Sequence, residues 1–216
     1  MQLDGLVVST MADHGTSIGR RGDAAEDARV RAAAVRLFAE LGYDMVSTQM
    51  IADAAGVDQS TVADRHGGKR ALYVTSMNWA AQQWQDQVQS MRGDYTPDVG
   101  GLIRFVDRYL EYCREHPELP RLLVHRWFSD ARDVAGINEE IIVPRVREAV
   151  EVVRSALGPD ADPEAALWTL GWSIYGYLQS GYLDESGERR TPDDPQTLRR
   201  FRHHLRWLIH KMAATT

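Results

Sequence analysis

Apolar residues recur at spacings of three and four along most of the chain, a pattern typical of amphipathic helices. No segment shows the period-two alternation that predicts a half-buried strand. Several prolines stand at the start of an apolar segment, where the first helical turn accepts them. The predicted helices span about 25–41, 48–55, 59–65, 71–91, 100–115, 119–129, 138–157, 163–183 and 195–212. We therefore predict an all-α fold.

The N-terminal third begins with a segment that lacks this periodicity. Residues 1–23 are rich in Gly, Ser, Thr and Asp, so we expect a flexible tail. After the first helix, Gly42 provides a stop, because glycine accepts the left-handed position that follows many helices. Ser47 and Asp58 are expected to cap two short helices, and Gly56 to turn the chain between them.

The two short helices carry the spacing of a helix-turn-helix. Ala52 is small enough to lie where two helices cross, Gly56 suits the tight turn, and Val62, six positions later, seats the second helix on the first. The dominant use of this motif is to place its second helix in the DNA major groove. On that helix Gln59 can pair with adenine and Arg65 with guanine, whereas the alternative is an ordinary solvated face.

Composition limits the classes of protein that fit. The 216 residues, 44% of them hydrophobic, suffice for one or two packed domains, and no apolar run approaches the roughly 18 residues that span a bilayer. A single cysteine, Cys113, leaves no internal disulfide and fits a cytoplasmic location. The net charge of −6 disfavours nucleic acid, and residues 20–77 are neutral, with eight basic and eight acidic side chains.

The basic residues of the first helix and the tail allow two interpretations. Arg29, Arg31 and Arg36, with Arg20 and Arg21 before them, are suited to bind phosphates or to let the tail enter the minor groove. A solvated surface explains them equally well.

The segment from Ala28 to Leu72 resembles the TetR family of bacterial transcription regulators. The matching pieces, in order, are residues 37–43 (LFAELGY), 51–52, 54–57, 61–62, Lys69 and Leu72. The resemblance implies a homodimer whose two recognition helices read successive major grooves of a palindromic operator. It also implies a small-molecule effector that enters the C-terminal half and releases the double-stranded DNA, so that the protein is a repressor rather than an enzyme.

Carried over to this chain, the resemblance implies a flexible tail at 1–23 and a three-helix DNA-binding domain with a helix-turn-helix at 24–70. A larger helical domain for ligand binding and dimerisation follows at 71–216. The residues expected at the DNA are Ser47, Thr48, Gln59, Ser60, Thr61, Asp64, Arg65 and Lys69.

Three residues of the recognition helix bear on the strength of DNA binding. Ala63 stands where the family usually has a tyrosine that bonds phosphate, and His66 where it usually has a packing aromatic. Asp64 is unfavourable near DNA except against a cytosine amino group. One lost phosphate contact costs about 1–3 kcal/mol. The alternative function is therefore a dimeric small-molecule sensor or adaptor with weakened or lost DNA binding.

Aromatic residues are frequent in the C-terminal half, where they suit either a core or a ligand pocket between helices. For the pocket we expect Trp127, Trp172 and Tyr175 in one cavity, with polar partners among the remaining candidates. These are Tyr109, Tyr112, His125 and Gln179.

The last two predicted helices are strongly apolar and are expected to pair with their copies in a second chain. In the final helix the apolar residues form one stripe at helical spacing, and small residues in the helix before it permit close approach. The alternative is that both helices bury against their own chain. The candidate interface residues are Leu170, Ile174, Leu178, Phe201, Leu205, Leu208 and Met212.

Catalytic and metal-binding motifs give no positive signal. Cys113 and His116 have a spacing that metals accept, but a buried cysteine and a surface histidine explain them better. No phosphate-binding glycine loop and no HExxH motif occurs. We therefore expect no cofactor and no metal, and a small helical enzyme remains a third class that would have to turn over its bound ligand.

Overall fold

A computed structural model describes residues 13–128 and 131–214, with side chains from residue 22 onward except at position 92. The described part is nearly all helical, as predicted. The helices are α1 Asp13–Leu41, α2 Thr48–Ala55, α3 Gln59–His66, α4 Gly68–Arg92, α5 Val99–Glu115, α6 Glu118–Trp127, α7 Val143–Ala156, α8 Pro163–Ser180 and α9 Pro195–Ala213. A π-helical segment, Ile137–Ile142, runs directly into α7.

The first helix is longer than the sequence predicts. It begins at Asp13, so the predicted tail is helical over residues 13–23, while residues 1–12 lie outside the described part. Acidic residues near the start of its packed portion bind Arg65, which attaches this end of α1 to α3. The periodicity of α1 does not predict this longer helix, because the contact that holds it comes from a charged side chain on another helix.

The prediction of a helix to residue 183 is also wrong. Helix α8 ends at Ser180, and Gly181 has a φ of 62° and a ψ of −145°, which ends the helix. A two-stranded antiparallel hairpin follows, with β1 Tyr182–Leu183 pairing with β2 Arg189–Arg190. The side chain of Asp184 accepts the amide hydrogens of Ser186 and Glu188, which closes the turn.

The N-terminal helices share one hydrophobic core. Val30 and Phe38 of α1, Ile51 of α2 and Val62 of α3 have no solvent exposure, and Tyr73 of α4 is almost completely buried among them. The same core continues into α6 and the π-helical segment, where Leu122 and Ile137 are buried. The N-terminal helices therefore pack directly on the C-terminal half of the chain.

A second core lies between α5, α7, α8 and α9. Its buried members include Leu102 and Leu110 of α5, Ile174 of α8, and Leu205 and Ile209 of α9. Helix α4 runs uninterrupted for 25 residues, past the predicted domain boundary at residue 70, and brings Trp84 against Tyr109 of α5 beside the second core. This helix connects the two candidate sites.

Candidate functional site

The helix-turn-helix has the local geometry that its sequence predicts. Ser47 caps α2, since its hydroxyl accepts the Met50 amide hydrogen at 3.1 Å. Gly56 adopts the left-handed conformation at φ 67°, and Val62 is fully buried against the first helix. Asp58 occupies the cap position of α3, but its side chain makes no capping hydrogen bond, so that part of the prediction is wrong. Backbone geometry alone begins this helix.

The recognition helix α3 presents a polar surface. Gln59, Ser60, Ala63 and Asp64 are exposed, and Thr61 is half-buried. Ser47 and Thr48 stand at the N-terminus of α2, where free amide groups favour an anion. These residues form one candidate DNA face.

Arg65 points to α1 rather than to this face. Its guanidinium lies 2.7 Å from a carboxylate oxygen of Glu26, 2.7 Å from one of Asp27 and 3.8 Å from one of Asp23. The adjacent His66 places Nε2 3.3 Å from the same Asp27 carboxylate and has only 8% of its side chain exposed. His66 thus joins the packing between α3 and α1. We call this group of five residues the α1–α3 ion cluster.

Two further cations have contacts inside the domain. Lys69 places Nζ 4.2 Å from the centre of the Tyr43 ring and 3.4 Å from the Asp44 carbonyl oxygen, and it is half-buried at the start of α4. Arg29 donates from Nε to the Ala55 carbonyl oxygen at 3.2 Å, which satisfies the C-terminal end of α2. Lys69 is therefore held beside the helix-turn-helix, while Arg29 has a structural role. The side chains of Arg20 and Arg21 lie outside the described residues.

A cavity of about 140 Å³ lies between α4, α5, α6, α7 and α8. Four of the predicted pocket residues line it, namely Tyr109, Tyr112, Trp127 and Tyr175. The other three, His125, Trp172 and Gln179, are not among the residues that line it. The indole of Trp172 packs on that of Trp127 from outside the cavity, with ring centres 4.6 Å apart.

Helical geometry explains why Trp172 and Gln179 of α8 lie outside the cavity. Trp172, Gly176 and Gln179 follow at spacings of four and three, so they share one face of the helix, and that face is exposed. Tyr175, three positions after Trp172 and about 60° around the helix from it, lies at the buried edge of this face and lines the cavity. His125 is half-buried on α6, two positions before Trp127, and therefore points in a different direction.

The hydroxyl groups inside the cavity are neutral. Tyr109 and Tyr175 form a hydrogen bond through their hydroxyls. Burial is the largest cause that raises the pKa of Tyr109 well above its usual value, and the neighbouring Cys113 is the second. Burial raises the pKa of Cys113 and of Tyr112 to about 12. These groups keep their protons at neutral pH and contribute no negative charge to the site.

Sequence reasoning missed several lining residues, of which Trp84 and Arg145 matter most. The indole Nε1 of Trp84 is buried and has no hydrogen-bond partner among the described residues. Arg145 is the one charged side chain in the described lining. A signal for it exists in the sequence, because Arg145 precedes Ala149 and Val153 by four and eight positions and so interrupts an apolar helical face.

The residues predicted for the dimer interface differ in how far their own chain buries them. Leu170, Ile174 and Leu205 are at most 3% exposed and pack inside their own chain, so they are not available to a second copy. Leu178, Phe201, Leu208 and Met212 are half-buried against the same core. On these two helices the exposed large apolar side chains are instead Trp172, 43% exposed, and Trp207, 49% exposed.

Comparisons with known proteins agree with this arrangement. Residues 30–74 match the family model described as bacterial regulatory proteins, tetR family. The fold is similar to the fatty acid degradation regulator FadR from Bacillus halodurans, with 15% identity, 86% of this chain and 93% of that chain covered, and a TM-score of 0.60.

Two structures from Rhodococcus are equally similar in fold. A TetR-like transcriptional regulator from Rhodococcus sp. RHA1 has 13% identity, coverage of 86% and 94%, and a TM-score of 0.63. A bacterial regulatory protein in the tetR family from Rhodococcus RHA1 has 16% identity, coverage of 88% and 98%, and a TM-score of 0.63. No curated protein sequence gives a significant match. Within residues 13–128 and 131–214, none of the helices combines the length and the apolar character that crossing a membrane requires.

Proposed function

We propose that this chain is a TetR-family transcriptional regulator, a repressor that binds palindromic operator DNA as a homodimer and is released by a small molecule in the cavity. One observation carries the proposal: the cavity shares buried residues with the hydrophobic core on which the helix-turn-helix packs. Met77 and Ala80 of α4, Leu119 of α6 and Ile141 of the π-helical segment line the cavity and also belong to the N-terminal core.

This shared packing gives the effector a physical route to the DNA. A ligand that prefers one arrangement of α4 and α6 also prefers one position of α1 and of the helix-turn-helix. A coupling free energy of about 1–3 kcal/mol changes operator affinity by roughly 5- to 150-fold. The ligand has to bind the DNA-incompetent arrangement more tightly for release to follow.

At the DNA, we assign base contacts to the exposed polar residues of α3. Gln59 is the strongest candidate, because its amide can bond an adenine edge with two hydrogen bonds. Ser47 and Thr48 would bind phosphate at the N-terminus of α2, and Lys69 would neutralise a further phosphate. Arg65 is left out of this set, since the α1–α3 ion cluster holds it.

For the homodimer we propose the exposed face of α8 and α9. Trp172 and Gly176 lie on this face of α8, and Trp207 and His204 are exposed on α9. Large exposed aromatics on neighbouring helices are typical of interface cores. In sedimentation experiments we expect a species of twice the chain mass of 24.4 kDa, which Trp207→Glu converts to monomer. A wild-type chain that sediments as a monomer would refute the dimer.

The DNA proposal is tested by fluorescence anisotropy with duplexes from the intergenic region upstream of its gene and with shuffled duplexes of the same composition. We expect sequence-preferring binding in the absence of effector. Gln59→Ala should weaken binding to the preferred duplex by about tenfold or more. Gln89→Ala is the matched control, because Gln89 is exposed on α4, outside the proposed DNA face. Equal affinity for both duplexes at low salt would refute the proposal.

A second function is favoured by the recognition helix itself. With Arg65 bound to α1, the exposed surface of α3 carries the Asp64 carboxylate, and Ala63 supplies no phosphate donor. These features suit a dimeric sensor whose DNA binding has weakened. Ligand binding without any preference between the two duplexes would favour this second function.

A further inference from the structure

One charged side chain in the lining of the cavity has no counter-ion among the described residues. Arg145 lies at the start of α7, is half-buried and lines the cavity. Its guanidinium forms neither an ion pair nor a hydrogen bond with any part of the chain that the structure describes. A half-buried charge without a partner is unfavourable, because it loses part of its hydration and gains no ion pair or hydrogen bond that would compensate for the loss. An anion in the cavity would correct this.

The rest of the lining is apolar or neutral. No aspartate or glutamate stands among the described lining residues, and the tyrosine and cysteine groups keep their protons. Aromatic side chains from four helices form the walls, among them Trp84, Phe105, Trp127 and Trp168. Such a site favours a ligand with an apolar body and a single negative charge.

The volume limits the size of that body. An apolar cavity of about 150 Å³ holds one benzene molecule. The 140 Å³ present here therefore matches an aromatic ring or a short alkyl chain of comparable volume, and not a long acyl chain. The buried Nε1 of Trp84 offers one further hydrogen-bond donor, which has no partner in the described chain.

We infer that the cavity binds a small amphipathic carboxylic acid, whose carboxylate pairs with Arg145 and whose body fills the aromatic space. A carboxylate suits the site because the planar guanidinium can donate two parallel hydrogen bonds to its two oxygens. This inference rests on the proposed function only in naming the acid as the effector.

Isothermal titration of the full-length protein tests the inference with matched pairs of ligands. The pairs are octanoate with octanamide, and 4-methylbenzoate with 4-methylbenzamide, which keep the body and remove the charge. We expect one of the acids to bind at least about tenfold more tightly than its amide. Palmitate should bind more weakly than octanoate because its chain exceeds the cavity.

Two variants locate the charge. Arg145→Gln should lower affinity for the acid by about tenfold or more and leave affinity for the amide unchanged, which also shows that the variant is folded. Arg147→Gln is the matched control, because Arg147 lies two positions later on α7 and is exposed. Its affinities should equal those of the wild type.

Three results would overturn the inference: neither acid binds, the wild-type chain binds acid and amide equally, or Arg145→Gln and Arg147→Gln bind the acid alike. The comparison on the wild type stands even if the Arg145 variant does not fold. Failure of the proposed function looks different. In that case the acid binds through Arg145, but the chain shows no preference for upstream DNA.

Discussion

Replacing Arg65 with glutamine should destabilise the protein by about 1–2 kcal/mol. The guanidinium makes two ion pairs at 2.7 Å, to Glu26 and Asp27, and all three side chains are between 30% and 35% exposed. Partly exposed pairs each contribute at most about 1 kcal/mol, because water and salt screen them. Removing the cation also leaves Asp23, Glu26 and Asp27 repelling one another within two helical turns, which adds a few tenths of a kcal/mol.

Thermal unfolding followed by circular dichroism measures this change. For a chain of this size, about 1–2 kcal/mol corresponds to a fall in Tm of about 2–8 °C. Arg70→Gln is the control, since Arg70 is exposed on α4 and has no ion pair or hydrogen bond in the described chain. The difference between the two variants should shrink in 1 M salt.

A double-mutant cycle separates the pair from other effects of the substitution. Arg65→Gln, Asp27→Asn and the double variant should give a coupling energy of about 0.5–1 kcal/mol. The preference of the chain for operator over shuffled DNA should stay unchanged in Arg65→Gln. A Tm equal to that of the Arg70 variant, or loss of sequence preference with no loss of stability, would show that Arg65 serves the DNA and not α1.

Four further outcomes are expected. Ala63→Tyr restores a phosphate donor on an exposed site of α3, so operator affinity measured by anisotropy should rise by about tenfold, and an unchanged affinity would contradict the missing-contact argument. Gly181→Ala should lower unfolding free energy by about 1–3 kcal/mol in thermal melts, because the new Cβ would lie 1.9 Å from a carbonyl oxygen of β2 at a φ of 62°. The Ser186 hydroxyl, first among several donors, holds the pKa of Asp184 far below its usual value. The ionised Asp184 side chain therefore stabilises the fold above about pH 4, and this contribution is lost as the pH falls through the lowered pKa. Between about pH 5 and pH 2, the Tm of Asp184→Asn should therefore fall by less than the Tm of the wild type. Burial raises the pKa of Cys113 to about 12, so iodoacetamide should label it slowly in the folded chain and fast in urea, and equal rates would exclude the buried thiol.

The helix-turn-helix was predictable from the sequence because its determinants are local. Ala52, Gly56 and Val62 lie within eleven positions, and each acts through backbone conformation or through contact with the adjacent helix. The structure confirms all three, with Gly56 left-handed and Val62 buried. The wrong capping assignment at Asp58 concerns a side-chain rotamer, which sequence spacing does not determine.

The C-terminal half was harder to predict because apolar periodicity gives a helix face but not its neighbour. The stripe containing Leu205 has helical spacing, yet it packs into the chain's own second core, and the exposed aromatic on that helix is Trp207. The cavity is formed by five helices that are distant in the sequence and meet only in the fold. Tyr109 and Tyr175 could be named as candidates, whereas their contact through the hydroxyls could not.

The contact of Arg65 with α1 was likewise beyond sequence reasoning. Its partners stand 38 to 42 positions earlier, and nothing in a basic residue on a recognition helix distinguishes a DNA contact from an intramolecular one. The same holds for Arg29, whose bond to the Ala55 carbonyl spans 26 positions. Charged residues around a DNA-binding motif need the fold before their roles can be assigned.

The unbroken course of α4 has a mechanical consequence. Its 25 residues make a rod of about 37 Å at 1.5 Å per residue, with Lys69 near one end and Trp84 about 22 Å further along. A tilt of about 10° about the Trp84 end would swing Lys69 through about 4 Å, more than the reach of a hydrogen bond. A small tilt of α4 caused by an acid bound beside Trp84 would thus move Lys69 far enough to break its contact with a DNA phosphate.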